Sequence, residues 1–302
     1  MLIHRLAMAA AILAPLLGLL WADITIGPAG AWLAPLFLLV VVAAVDEVLG
    51  MLRTGGHQVV AWSAHAGALM IALATLAPLA WSIRGLPYPP HCPLGQLGWP
   101  WAAMGLAVGL AFFAEMLRYR DAHGVVVRVS LVVMTVAYAG LLSSFLVALR
   151  LFHDNAWGMA ALVSMVFVVK FSDTGAYTFG RLLGKRKLAP ILSPKKTVEG
   201  AIGGLATGCA AAVVFFVWIA PRIVGTSGPV GPWWGWLLFG VLVTLAGMVG
   251  DLAASILKRD MGCKDSSRWM PGLGGVLDVI DSLLVGGPVA YLCWAAFLGP
   301  EA

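Results

Sequence analysis

The sequence predicts an all-α fold, a polytopic bundle of about nine transmembrane helices with a cytoplasmic N-terminus. The chain of 302 residues is 61% hydrophobic and 11% charged, whereas soluble domains carry about 25% charged residues. Its mean hydropathy is +0.94. The apolar runs are continuous over about 20 residues, as bilayer-spanning helices require, whereas membrane β-strands alternate over about 10 residues. The composition therefore excludes a soluble, a disordered or a disulfide-framed protein.

Nine segments are apolar enough to be predicted as membrane spans. The first, preceded by Arg5, resembles a secretory signal, but no small-residue cleavage site follows it, so a retained helix is expected. The connection at residues 84–97 is rich in proline and is expected to be a stiff loop. In chain order, the predicted spans are residues 8–22, 31–46, 58–82, 98–117, 126–148, 157–172, 200–220, 233–256 and 277–299.

These spans predict a single integral membrane domain over residues 1–302. Residues 1–156 supply N-terminal helices that carry only hydropathy, and residues 157–302 supply catalytic helices with two motif loops. No soluble domain is visible in either part.

The basic residues predict which way the chain crosses the membrane. With nine spans, the N-terminus and every second loop lie on one side, and 15 of the 19 Lys and Arg residues fall there. Three lie on the other side, and Lys170 lies inside a span. Basic loops face the cytoplasm. We therefore expect a cytoplasmic N-terminus and, in a bacterium, the inner membrane. The same bias explains the net charge of +5 without nucleic acid as a partner.

Most of the polar residues that suggest chemistry lie in two predicted cytoplasmic loops. The first, residues 173–200, reads DTGAYTFGRLLGKRKLAPILSPKKTVEG. Within it, Ser193–Thr197 combines two hydroxyls and two lysines with a proline-fixed turn, which is the composition of a phosphate-binding surface. Thr197 is expected to cap a following helix, whose N-terminal amides favour an anion.

The second loop, residues 250–281, reads GDLAASILKRDMGCKDSSRWMPGLGGVLDVID and is rich in carboxylates. Asp278 and Asp281 lie three residues apart and so share a helix face, and Asp251, Ser255 and Lys258 follow an i, i+4, i+7 pattern. Oxygen ligands without His or Cys favour Mg²⁺. Ion pairs between helices explain the same spacing, and spacing alone divides the two interpretations evenly.

Three other features favour structural interpretations. Gly180–Lys185 resembles a Walker A loop, but the glycines are one residue too close and Arg186 replaces the required hydroxyl. Arg181 and Lys185–Lys187 are explained by membrane topology or lipid headgroups. Three carboxylates in the first five spans lie at or near predicted helix ends, where an anchoring role is expected: Asp46, Glu47 and Glu115.

The second loop resembles the C-terminal signature of the membrane phosphatidate cytidylyltransferases, also called CDP-diacylglycerol synthases. The resemblance covers about residues 170–299, and the chain looks like a divergent member. Leu273 stands where the family has His, and Val279 stands where it has Arg. The residues that carry the resemblance are Ser193–Thr197, Glu199, Gly200, Gly250, Asp251, Ser255–Arg259, Lys264, Asp265, Pro271, Gly274, Gly275, Asp278 and Asp281.

The resemblance implies that CTP and phosphatidic acid in the bilayer react to give CDP-diacylglycerol and pyrophosphate on the cytoplasmic face. It suggests Mg²⁺ with a second cation, and a homodimer by family analogy. The implied metal ligands are Asp251, Asp278 and Asp281. The implied catalytic residues are Lys196, Ser255, Lys258, Arg259, Lys264 and Asp265. The implied substrate-binding residues are Asp173, Ser193, Lys195 and Thr197.

Three alternatives remain open from the sequence. A CTP-dependent polyprenol or phytol kinase would share cytoplasmic carboxylates and lysines, but its alcohol acceptor benefits from a general base. A transporter of anionic lipids needs inward polar residues at several depths of the membrane. A purely structural membrane protein has no need of the acidic pairs.

Overall fold

A computed structural model of the protein describes residues 2–119, 123–267, 269–270 and 274–300. Leu273, Pro271, Gly272, Arg120 and Arg268 lie outside these ranges. The described residues are mostly helical. The helices are α1 (Leu2–Thr25), α2 (Ala34–Thr54), α3 (Ala61–Thr75), α4 (Leu79–Ile83), α5 (Gly98–Met116), α6 (Val125–Arg150), α7 (Asn155–Leu183), α8 (Val198–Val224), α9 (Trp233–Asp260) and α10 (Val276–Leu298).

Seven helices in the described part of the chain are long and apolar enough to cross a membrane, namely α2 and α5 to α10. Together they make the chain an integral membrane protein. Two of the nine predicted spans are not among these seven helices. The third is broken into α3 and α4 at Pro78, which lacks the amide needed to continue a helix. The first predicted span falls within α1 (Leu2–Thr25), which is not among these seven helices. The prediction of nine spans is therefore not confirmed.

The first compact unit comprises Met1–Ala148 with Asp260–Val279. Its centre is α3, where Ala64, Ala68 and Ala72 are fully buried. Small residues let membrane helices approach closely. Gly140 of α6 accordingly lies against Ala68. The segment Asp260–Val279 carries most of the second motif loop. This loop therefore belongs to the same compact unit as the N-terminal helices.

The second compact unit comprises Leu149–Arg259 with Ile280–Ala302. The α7 helix begins at a capping Asp154, whose carboxylate accepts hydrogen bonds from two backbone amides. At the same end of this helix, the buried Trp294 ring contacts Trp157 and Phe216 and donates to Ser164 Oγ at 3.0 Å. This aromatic packing holds α7, α8 and α10 together.

Two expectations about the motif loops are wrong in their boundaries. The α7 helix continues to Leu183 rather than ending at residue 172, and within it the Thr174 and Thr178 hydroxyls donate to the carbonyls four residues back. Asp173 therefore lies within a helix, not at its end. Likewise α9 continues to Asp260, so the first third of the second loop is helical.

The all-α prediction also misses a small antiparallel sheet. Strand β1 (Lys187–Ala189) pairs with β2 (Ser193–Thr197), with Lys187 opposite Thr197 and Ala189 opposite Ser193. The predicted phosphate-binding segment is thus an extended strand leading directly into α8.

Candidate active site

A cavity of about 370 Å³ lies within the second unit. One face of α7 lines it through Asp173, Tyr177 and Arg181, which recur at helical spacing. The remaining walls come from the hairpin, the start of α8 and the middle of α9. The lining residues on these walls are Leu188, Lys195, Lys196, Thr197, Gly200, Ala201, Met248, Asp251 and Leu252.

An ion pair joins two walls of the cavity. Lys196 Nζ of β2 lies 2.6 Å from Asp251 Oδ2 of α9. The two side chains are 26% and 37% exposed, and both line the cavity. Sequence spacing left an ion pair and a metal site open for Asp251, and the structure shows the ion pair.

A second carboxylate approaches this pair from α10. Asp281 is buried and lies within electrostatic range of both Asp251 and Lys258. Its Oδ1 accepts hydrogen bonds from the Ser282 amide and hydroxyl at 2.6 and 3.1 Å. Gly250 permits this approach, because a Cβ there would overlap the carbonyl oxygen of Asp281. The Gly-Asp pair thus brings two acidic helices together.

The α7 wall carries charge of both signs. Asp173 Oδ2 lies 3.7 Å from Lys170 Nζ and is within electrostatic range of Asp251 and Lys196. About two turns further on, the Arg181 guanidinium lies 3.4 Å from the Tyr177 hydroxyl. Tyr177 and Arg181 are exposed, so both can contact a ligand that enters the cavity.

The hairpin wall is held at both ends. Thr197 Oγ1 accepts from the Gly200 amide, which confirms Thr197 as the cap of α8. The Glu199 carboxylate accepts from the amides of Lys185 and Arg186 at 3.0 and 3.1 Å. These bonds order the backbone on either side of the two strands.

Other predicted site residues of the second unit lie near these walls. Ser193 is half-buried in β2, and Lys195 is exposed and lines the cavity. Ser255 and Lys258 continue α9 beyond Asp251, as the i, i+4, i+7 pattern predicted. Arg259 Nε donates to the Leu192 carbonyl at 3.4 Å and so links the end of α9 to the hairpin turn.

Three predicted site residues belong to the first unit. Lys264 and Asp265 are exposed in the loop before α10. Asp278 lies in the first turn of α10, where its Oδ2 accepts from the Ser266 amide, the Ser266 hydroxyl and the Gly275 amide at 2.8 to 3.0 Å. The predicted metal role of Asp278 remains a prediction.

The carboxylates provide oxygen donors of the kind that hard cations prefer. Within the described ranges, no group of three or more His, Cys, Asp or Glu side chains is arranged to hold a metal ion. Asp251 and Asp281, however, lie within electrostatic range of each other. Since Mg²⁺ commonly uses one or two carboxylates together with substrate phosphates, this pair fits such an ion.

Sequence reasoning missed Tyr177 and Arg181 as cavity residues. It assigned Arg181 to membrane topology or lipid headgroups, as a basic residue of a predicted cytoplasmic loop. The signal was present in the i, i+4, i+8 spacing of Asp173, Tyr177 and Arg181, which places them on one helix face once α7 is extended. Of the two departures from the family signature, Val279 lies in α10 and Leu273 lies outside the described residues.

The sequence is similar to those of known cytidylyltransferases. The chain matches the model of the cytidylyltransferase family over residues 4–297. It is 40% identical over 164 residues to the phosphatidate cytidylyltransferase of Brucella suis, a stretch covering 54% of this chain and 57% of the relative. The phosphatidate cytidylyltransferase of Haemophilus influenzae is 42% identical over 136 residues, or 45% and 46% of the two chains.

A third relative, the phosphatidate cytidylyltransferase of Staphylococcus saprophyticus, is 38% identical over 151 residues, or 50% of this chain and 53% of the relative. The chain thus spans about half the length of the curated relatives that it matches. The family model extends further, from near the first residue to near the last. Because it matches nearly the whole chain, the protein belongs to the cytidylyltransferase family.

Proposed function

We propose that the protein transfers the cytidylyl group of CTP to phosphatidic acid, giving CDP-diacylglycerol and pyrophosphate. One observation carries the proposal, the cavity in which Lys196 is paired with Asp251 and flanked by Lys195 and Arg181. Its cations suit a triphosphate, and its carboxylates suit a hard cation. The related proteins named as phosphatidate cytidylyltransferases support this choice of substrates.

In this reaction, an oxygen of the lipid phosphate forms a bond to the α-phosphorus of CTP. The bond between the α-phosphorus and the bridging oxygen breaks, and pyrophosphate leaves with the electron pair. The attacking phosphate is already anionic near neutral pH, so no side chain needs to remove a proton. None of the described residues lining the cavity is a histidine, which suits this acceptor better than the alcohol of a polyprenol.

The main barrier is repulsion between an anionic nucleophile and a highly anionic triphosphate. Lys196 and Lys195 on β2 and Arg181 on α7 lower this barrier by neutralising phosphate charge as pyrophosphate departs. Lys258 and Arg259 at the end of α9, together with Lys264, are proposed to act in the same way. Ser193, Thr197 and Ser255 are proposed as hydrogen-bond donors to the phosphates.

Asp251 and Asp281 would hold Mg²⁺, and Asp278 remains a predicted third ligand. When bound, the cation supplies positive charge to the phosphate oxygens, and a second cation is also expected. Asp251 meanwhile orients Lys196 through their ion pair. Asp265 is proposed to orient one of the basic residues, and Asp173 to line the substrate cavity.

The proposed reaction also predicts where the site faces. CTP arrives from the cytoplasm, while phosphatidic acid keeps its acyl chains in the bilayer. We therefore propose nine spans, a cytoplasmic N-terminus and a cytoplasmic site in a bacterial inner membrane, all supported by the distribution of Lys and Arg. A homodimer remains a prediction from the family resemblance.

The position of the transferred phosphorus distinguishes the proposal from its main alternative. Purified protein is given CTP labelled at the α- or the γ-phosphate, with Mg²⁺ and either phosphatidic acid or a polyprenol. The proposal predicts that only the α-label enters the lipid, that phosphatidic acid is the acceptor, and that pyrophosphate forms in equal amount. Entry of the γ-label into a polyprenol, with release of CDP, would instead establish a lipid kinase.

A further inference from the structure

Glu47 of α2 makes an unusual set of contacts with the second motif loop. It is only 8% exposed. Each of its two carboxylate oxygens accepts two hydrogen bonds. Oε1 accepts from the Val276 amide at 2.8 Å and the Ser267 hydroxyl at 3.0 Å. Oε2 accepts from the Leu277 amide and the Ser266 hydroxyl, both at 2.8 Å. One side chain therefore holds both the loop and the start of α10.

These contacts lie next to those of Asp278. Ser266 Oγ lies 2.8 Å from Glu47 Oε2 and 2.8 Å from Asp278 Oδ2, so its single hydroxyl proton is shared between the two carboxylates. Gly275 also donates its amide to Asp278, and a Cβ at position 275 would overlap Glu47 Oε2 and Ser266 Oγ. The loop backbone thus packs directly against the Glu47 carboxylate, and Gly275 is required for that approach.

A carboxylate suits this position better than any neutral side chain. Val276 and Leu277 supply first-turn amides of α10, which have no partners within the helix. The N-terminal end of a helix favours negative charge. A glutamine would keep one acceptor oxygen but would turn an amide donor toward the Val276 or the Leu277 amide. Removing an acceptor from a buried donor is costly.

We propose that Glu47 is a positioning residue that orders the second motif loop and fixes the start of α10. The loop carries Lys264 and Asp265, and α10 carries Asp278 in its first turn and Asp281 five residues after its start. The proposal rests on the proposed function for the roles of these residues. It also assigns the N-terminal helices a task beyond membrane anchoring, since Glu47 lies more than 200 residues before the loop that it holds.

The order of the loop can be measured without any assay of activity. Cys263 is half-buried in the loop, and its thiol lies 3.5 Å from the Met261 carbonyl oxygen. In a background in which Cys92 is replaced by Ser, and Cys209 and Cys293 by Ala, it becomes the single reactive thiol. Its rate of modification by a water-soluble maleimide then reports how often the loop opens.

In that background, Glu47→Ala and Glu47→Gln are expected to raise the Cys263 labelling rate about tenfold or more, because buried amides lose their acceptors. The kcat per folded protein is expected to fall about tenfold or more, while the KM for CTP changes less than about threefold. A purely structural role would lower the yield of folded protein and leave both constants unchanged. Glu47→Gln keeps the volume of the side chain, so it remains informative where Glu47→Ala fails to fold.

Asp46→Asn is the matched control on the same helix. The Asp46 side chain is 64% exposed and contacts His65 rather than the loop. Asp46→Asn should therefore have the same Cys263 labelling rate and the same kcat as the background protein. Background labelling rates in both Glu47 variants would overturn the proposal, as would faster labelling with unchanged kcat or an equal effect of Asp46→Asn. If the unaltered protein transfers no cytidylyl group, the proposed function fails, while the labelling rates still show whether Glu47 holds the loop.

Discussion

Gly250→Ala tests whether the spacing of two acidic helices controls the reaction. A Cβ at position 250 would overlap the Asp281 carbonyl oxygen and lie 3.1 Å from Ser282 Cα. Carbon atoms in contact normally stay about 3.5–4.0 Å apart, so α9 and α10 must separate where Asp251 faces Asp281. Backbone atoms cannot turn away as a side chain can. The separation therefore displaces the two carboxylates themselves.

The expected loss of activity is larger than the loss of stability. Overpacking costs about 1–3 kcal/mol, and the higher helix propensity of alanine offsets about 1 kcal/mol of it. A displacement of about 1 Å among reacting groups can lower a rate about 100-fold. We therefore expect Gly250→Ala to remain folded, with kcat lowered about 100-fold, as measured by transfer of the α-phosphate label from CTP to phosphatidic acid.

Gly247→Ala is the matched control, one turn earlier on the same helix. Its Cβ would meet nothing closer than Val169 Cγ2 at 3.6 Å and Ser282 Cβ at 3.7 Å, which are ordinary contacts. This variant should keep its kcat and gain up to about 1 kcal/mol of stability. Wild-type kcat in Gly250→Ala, or equal losses in both variants, would refute the reasoning about helix spacing.

Four further predictions concern the same cavity. Lys196→Ala removes the partner of Asp251 and a phosphate-neutralising charge, so kcat should fall about 100-fold or more, and Lys196→Arg should recover part of it. Arg181→Ala should raise the KM for CTP in steady-state kinetics, whereas Arg186→Ala, which alters an exposed residue outside the cavity lining, should not. Thr197→Val removes the side-chain cap of α8 and should lower the free energy of unfolding by about 1 kcal/mol. Chelation by EDTA should abolish label transfer, and added Mg²⁺ should restore it; transfer that persists in EDTA would contradict the metal role.

Local patterns allowed parts of the fold and site to be predicted. Continuous apolar runs identified the helices, and the i, i+4, i+7 spacing of Asp251, Ser255 and Lys258 correctly placed them in one helix. Thr197 was recognised as a cap from its residue type and its position before an apolar run. Each of these features depends on interactions within a single helix. Such interactions involve residues that are close in sequence, so the local sequence is enough to predict them.

Features that depend on distant contacts were not predictable in this way. Polar residues after Asp173 suggested a loop, although the threonines there bond back to their own helix and α7 continues to Leu183. Tyr177 and Arg181 were consequently missed as cavity residues. The sequence predicts Glu47 at or near a helix end, and only the fold brings it to Ser266 and to the start of α10.

Transfer of the α-phosphate label from CTP to phosphatidic acid, with Asp281→Asn measured beside the unaltered protein, tests the central claim most directly. The account predicts labelled CDP-diacylglycerol and an equal amount of pyrophosphate from the unaltered protein. It predicts no transfer by Asp281→Asn, although this variant should remain folded and elute as the unaltered protein does. Near-normal transfer by Asp281→Asn, or the absence of label from the lipid formed by the unaltered protein, would contradict the account.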